Sequence, residues 1–212
     1  MESKIFQTFT AHQGYDNNRC SGYALAPILA EIYHSPFATL VSGEDVYDAL
    51  CSVQQGLLSG CPEQNVSVQF VKSPFNIFNG TCTILPSSIV LYCAGLGLEV
   101  QAICSEQNLG TFGTEVFKDD CSRMKDYIRF VGGYNELESE VSRYQYLVAL
   151  TRYKHWVSLK KTDGGYYLYD PAPSEFQGGM FGSEKLSDLL PMVKDQTGSK
   201  FFYGLVVGIS VS

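Results

Sequence analysis

Apolar residues in the first hundred positions recur at helical intervals. In Ser21–Tyr33, the residues Leu25, Ile28, Leu29 and Ile32 fall on one face, the spacing of a helix that buries one side. Pro27 interrupts this stretch. Either the helix bends there, or its regular part starts nearer Tyr23 and puts the proline in or just past the first turn, where a missing N–H costs least. A second helix is predicted from about Gly43 to Leu58, with Ser42 as N-cap, Asp45 three residues on, and Val46, Leu50, Val53 and Leu57 in step. Gly60 and Pro62 stop it. Pro86-Ser87-Ser88 opens a third helix carrying Ile89, Val90, Leu91, Cys93 and Leu96, which Gly95 and Gly97 end ahead of the alternating run Leu98–Ile103. A weaker helical pattern covers Lys118–Phe130, up to Gly132-Gly133.

From Tyr144 the period changes to two. Tyr144, Tyr146, Val148 and Leu150 alternate, then Val157 and Leu159, then Tyr166 and Leu168, with Asp163-Gly164-Gly165 between the last two runs as a hairpin signal. A short helix near Ser183–Leu190 and a strand over Phe201–Ile209 close the chain. Helices followed by an antiparallel sheet are the α+β pattern. At roughly 150 residues per domain, the 212 residues read as one domain, with a helical lobe over about 1–140 and a sheet lobe over about 141–212.

Composition narrows the function classes. Apolar residues at 45% and charged residues at 17% exclude a disordered chain. The net charge of −7, with no basic run longer than Lys160-Lys161, offers no footprint for phosphates, so nucleic acid is not expected as a partner. No signal pattern opens the chain and no window approaches 18 apolar residues, so no membrane span is expected. The expected compartment is a reducing cytosol, with export independent of a signal peptide as the alternative. Oligomeric state is left open. Seven cysteines, at 20, 51, 61, 82, 93, 104 and 121, are an odd number without CxxC or CxxH pairing. That argues against a full disulfide framework and against a zinc cage.

The chemical question is therefore whether a histidine can serve a cysteine as base. His34 ends the first helix and His12 lies in the N-terminal loop, whereas His155 lies on a strand, fifteen residues before Asp170 at the end of the next. If Asp163 and Gly164 are the central residues of a two-residue turn, paired positions sum to 327, Asp170 lies opposite Val157, and His155 shares its face. A four-residue loop, with a sum of 325, would pair His155 and Asp170 directly. Either register lets a carboxylate hold one ring nitrogen and leave the other for a nucleophile. Ser158 is on the wrong face of the strand and no GxSxG elbow exists. Cys20 follows the polar run Asp16–Arg19 and enters the first helix, where the helix dipole and a nearby imidazolium favour a thiolate.

A cysteine at an N-terminal helix start, a histidine on a later strand and an acid one hairpin further on resemble the papain-like cysteine hydrolases. The segment Leu147–Pro173, with His155-Trp156-Val157 and the hairpin and exit Asp163–Pro173, is similar to bacterial leader-peptide peptidases of bacteriocin exporters. Cys20-Ser21-Gly22 with Ala24-Leu25 also resembles bacterial effector glutamine deamidases of the same fold. The likeness covers about 13–34 and 86–173 and leaves 42–85 unmatched. It implies a papain-like α+β fold with a cleft between the lobes and a Cys20–His155–Asp170 triad. It also implies an oxyanion held by the Cys20 N–H and by Gln13, with Asn17 or Asn18 as alternative donors. The expected reaction is hydrolysis of an amide in a peptide or protein substrate, without metal or organic cofactor. A glutamine deamidase with the same triad is the alternative, and a catalytically inactive binding module is the second.

Ordinary structural roles compete with each assignment. Free cysteine is by default a small core residue, and Cys51 and Cys93, in amphipathic helices, are expected there. Asp before Pro is also common turn chemistry. Trp156 is a cleft wall or a core side chain, and the clustered tyrosines cover the sheet.

Overall fold

Cys20–Ile32 form helix α1, and only Tyr23 and Ile32 among these residues escape burial. The helix begins at the cysteine itself and runs through Pro27, which is interior rather than in the first turn. A helix apolar on nearly every side belongs inside the molecule, and α1 lies against the sheet. The computed structural model describes residues 5–13, 18–33, 41–105, 114–151, 155–172, 179–189 and 202–211. Asp16, Asn17, His34, Pro173, Leu190 and Phe201, named in the sequence reading, lie outside these residues.

Helix α2 spans Gly43–Leu58, with Ser42 Oγ accepting from Asp45 N–H at 3.0 Å, the expected N-cap. It meets α1 at two glycines. A Cβ on Gly22 would lie 2.3 Å from the Gly43 carbonyl oxygen, so the close approach of the helices beside Cys20 requires glycine. Helix α3, Val66–Lys72, is capped by Asn65 Oδ1 and was not anticipated. The strand pair β1 (Ile77–Phe78) and β2 (Thr81–Cys82) follows. Helix α4, Pro86–Gly95, has proline in its first turn as expected. Its Ser87 N–H donates at 2.9 Å to the buried Asp120 of α5, Thr114–Arg123. A carboxylate there satisfies a first-turn donor and meets the positive end of α4.

The main sheet has seven strands. In chain order they are β3 (Glu99–Ser105), β4 (Ile128–Val131), β5 (Tyr146–Thr151), β6 (His155–Thr162), β7 (Gly165–Asp170), β8 (Gly179–Ser183) and β9 (Phe202–Ser210). Their spatial order is β4-β3-β9-β5-β6-β7-β8, antiparallel except for the β3–β4 pair. One face packs on α1, α2 and α4 through Val148, Leu150, Trp156, Tyr169 and Val207. Leu147, Ala149, Val157, Leu159 and Leu168 face α6, Tyr134–Val141, and α7, Leu186–Leu189. Both faces are covered, so the central strands read as continuous apolar runs.

The fold is mixed α+β, and some of the helix, strand and cysteine placements expected from the sequence are corrected. The helix expected over Lys118–Phe130 ends at Arg123, and Ile128–Val131 is a strand. Turn bonds from Met124 N–H to Cys121 and from Tyr127 N–H to Met124 free the β-prone Ile128-Arg129-Phe130-Val131 to pair with β3. Strands β3 and β4 also bring residues from before 140 into the same sheet as the later strands. The helix near Ser183–Leu190 is the short α7, and residues before it form the unanticipated edge strand β8. Cys93 is fully buried as expected, but Cys51 is only half-buried. Among the described residues no helix is long and apolar enough to cross a membrane.

Candidate active site

The hairpin sets the first part of the site. Thr162 pairs with Gly165 and Ser158 with Tyr169, a constant sum of 327, so Asp163 and Gly164 form the two-residue turn. Gly165 has φ +130°, and a Cβ there would lie 2.3 Å from the Ser183 carbonyl oxygen, so glycine is required. This register puts His155 and Asp170 on one face at the end of the sheet, where His155 Nε2 lies 2.6 Å from Asp170 Oδ1. The same Oδ1 accepts from Ala172 N–H at 2.9 Å. Asp170-Pro171-Ala172 is thus an Asx turn whose side-chain bond also aims the carboxylate at the imidazole.

Cys20 supplies the second part. Its loop is fixed by Asn18, whose N–H donates to Thr81 Oγ1 and whose Nδ2 donates to the Asn76 carbonyl, both at 2.9 Å. Arg19 pairs with Glu44 at 2.6 Å and lies over the Tyr47 ring. The next residue, Cys20, opens α1, and its thiol interacts electrostatically with His155. Because Nε2 is held by Asp170, Nδ1 is the ring nitrogen left for the thiol. Burial alone would lower the histidine pKa, but the Asp170 carboxylate and then Cys20 outweigh it and raise it to about 10. His155 is therefore an imidazolium at neutral pH. Its side chain keeps 18% of its surface exposed while Asp170 keeps none, so the imidazole is reachable from solvent and the carboxylate is not.

Gln13 stands beside this pair. Its N–H donates to the Pro171 carbonyl at 3.0 Å, and its side-chain Oε1 is buried without a partner among the described residues. The fold thus positions the Gln13 backbone next to Asp170 and leaves an amide oxygen unused. Of the alternative donors, Asn18 has its amide engaged by Asn76. Trp156 is a core side chain, 1% exposed, donating to the Ile84 carbonyl. Ser158 is buried on the opposite face from His155. Among the described residues no three His, Cys, Asp or Glu side chains converge as metal ligands.

The sequence reading missed what fixes α1 along the sheet. Glu31 and Lys160 form a buried ion pair at 2.6 Å, with side chains 4% and 0% exposed. Tyr146, directly across from Lys160 on β5, donates to Glu31 Oε1 at 3.2 Å, and Phe6 N–H donates to Oε2 at 2.7 Å. Eleven residues of helix at 1.5 Å and five of strand at 3.3 Å both span about 17 Å. Helix α1 therefore lies parallel to β6 on the face that carries Trp156, Ser158 and Lys160, tied at its end through Glu31 and Lys160, while at its start Cys20 meets His155 at the head of the strand. A glutamate among Ile28, Leu29 and Ile32 was the available signal.

No protein-family model matches the chain, and no curated protein matches it.

Proposed function

We propose that the protein is a papain-like cysteine hydrolase that acts on amide bonds, most simply a peptidase. The observation that carries this reading is the meeting of Cys20, His155 and Asp170 at one end of the sheet. In this mechanism the Cys20 sulfur attacks the amide carbon and its proton resides on His155, which Asp170 orients and stabilises as imidazolium. The Cys20 N–H, at the positive end of α1, and the Gln13 amide hold the developing oxyanion. A half-turn of the Gln13 side chain exchanges its unpaired oxygen for the donating NH2. His155 then protonates the leaving amine, and water releases the acyl group. No step requires a metal or an organic cofactor.

Leaving-group identity separates a peptidase from a glutamine deamidase. The full chain is incubated with a tryptic peptide mixture and the products are read by mass spectrometry. New peptide termini that are absent with Cys20→Ala are expected. Conversion of glutamine to glutamate without cleavage would assign the deamidase instead, and identical products from wild type and Cys20→Ala would overturn the hydrolase reading.

A further inference from the structure

Behind the loop that leads to Cys20, a cavity of about 660 Å³ lies between α2, α3 and the β1–β2 pair. Cys51, Cys61 and Cys82 line it, and none of them has a part in the chemistry above. Gln54 Nε2 donates to the Cys82 sulfur at 3.6 Å, and the Tyr47 hydroxyl oxygen lies 3.9 Å from it. The Gln54 amide has one permitted orientation, since its Oε1 accepts from Leu85 N–H at 2.7 Å while Nε2 also donates to the Thr83 carbonyl at 3.2 Å. Tyr47 is fixed as well, accepting from Cys82 N–H at 2.7 Å and donating to the Cys82 carbonyl at 2.9 Å.

Cys51 follows Tyr47 by one helical turn and lines the same cavity as Cys82. The Cys51 thiol is the largest cause holding the Cys82 thiol below its ordinary pKa; burial opposes it, and Gln54 assists. Cys51 is pushed up, by Cys82 first and by burial second. The donor fixed on Cys82 favours that sulfur as the thiolate, and Cys51, lining the same cavity, is placed to resolve it, the division of labour that a peroxide-reactive pair needs.

We propose that Cys82 and Cys51 are an oxidant-sensing dithiol, with hydrogen peroxide as oxidant, Cys82 as the attacking sulfur and Cys51 as the resolving one. The Cys82 thiolate attacks one peroxide oxygen; an S–O bond forms, the O–O bond breaks, and hydroxide leaves. Hydroxide takes the Cys51 proton and departs as water. The Cys51 sulfur then displaces hydroxide from the Cys82 sulfenic acid and forms the S–S bond. Two electrons pass from the two sulfurs to the peroxide. The new bond ties α2 to the strand pair whose neighbourhood, through Thr81 and Asn76, holds Asn18 two residues ahead of Cys20.

This inference does not depend on the hydrolase reading, and its test removes that cysteine. The full chain carrying Cys20→Ala is treated with hydrogen peroxide, alkylated and mapped without reduction. The expected product has lost two hydrogens, joins the peptides bearing Cys51 and Cys82, and reverts with dithiothreitol. With Cys51→Ser added, Cys82 should accumulate a sulfenic acid trapped by dimedone, and with Gln54→Leu its oxidation should slow severalfold. Oxidation of Cys82 no faster than that of Cys61 or Cys121, or a disulfide that joins Cys82 to Cys61, would overturn the proposal. Mapping of the Cys20→Ala chain alone is decisive if either added substitution prevents folding.

Discussion

Helix α1 touches β6 at both ends, and the two ends differ in how completely their polar groups are used. At the Glu31 end both carboxylate oxygens have partners, from Lys160, Tyr146 and the Phe6 N–H. At the Cys20 end Asp170 Oδ2, Gln13 Oε1 and Ser21 Oγ are buried without partners among the described residues. A closed buried network fixes one arrangement, whereas unpaired buried groups cost stability and persist where something else holds them. The comparison teaches that the saturated end acts as the anchor and sets how far along β6 the helix lies. The open end can then keep unpaired groups, because its geometry is determined about 17 Å away.

The largest effect should come from breaking the anchor. Lys160→Met leaves Glu31 buried without its cation, which should cost about 3–5 kcal/mol and lower Tm by on the order of 10 °C in a chain of this size. Pairing it with Glu31→Gln should recover most of that loss, because it removes the uncompensated charge. Calorimetry of the two variants side by side tests the anchor. A double variant no more stable than Lys160→Met would show that the loss lies in packing and not in the ion pair.

Next in size is the hairpin that aims His155 and Asp170. Gly165→Ala puts a Cβ against Ser183 at a positive φ, a strain of about 1–3 kcal/mol. Urea denaturation should show the loss, and proton exchange of the His155 ring should quicken as its bond to Asp170 loosens.

A pH series sharpens the contrast without disturbing the core. The folded pKa of His155 is raised from 6.5 to about 10, so the folded state holds a proton that the unfolded chain has released. Its contribution to stability is complete below pH 6.5 and is lost as pH rises toward about 10. In the Cys20→Ala background, where no thiol proton offsets it, Tm should decline through that window by a few degrees more than Tm of Cys20→Ala/His155→Gln; equal slopes would mean that the pair with Asp170 is not formed in solution.

Much of this was legible in the chain. The Ser42 cap, the start of α1 at the polar-to-apolar boundary and the Asp163-Gly164 turn are local signals, and the turn register alone brought His155 and Asp170 to one face. What escaped the sequence reading depends on partners distant in the chain. Ile128–Val131 is a strand because β3 lies beside it, and Lys160 looks like a surface residue until Glu31, 129 positions earlier, comes to face it. Cys51 read as core because its helix is amphipathic, yet it borders a cavity.

The smallest effect separates the two kinds of buried cysteine. Cys93 is fully buried in the core and Cys20 is 7% exposed at the open end. Cys93→Ala should lose on the order of 1 kcal/mol to the void it leaves, and Cys20→Ala should melt as wild type or slightly higher. The reverse order in calorimetry would make Cys20 a core residue.

The central claim is that His155 activates Cys20. Site-resolved iodoacetamide labelling near pH 6, quantified at all seven cysteines by mass spectrometry in wild type and His155→Ala, tests it most directly. Cys20 should label faster than Cys61, Cys93, Cys104 and Cys121 and lose at least about tenfold in rate without the imidazole, a rise of about 1.4 kcal/mol in the barrier, while Cys82 keeps its rate. A Cys20 rate that is unchanged by the loss of His155 would contradict the account.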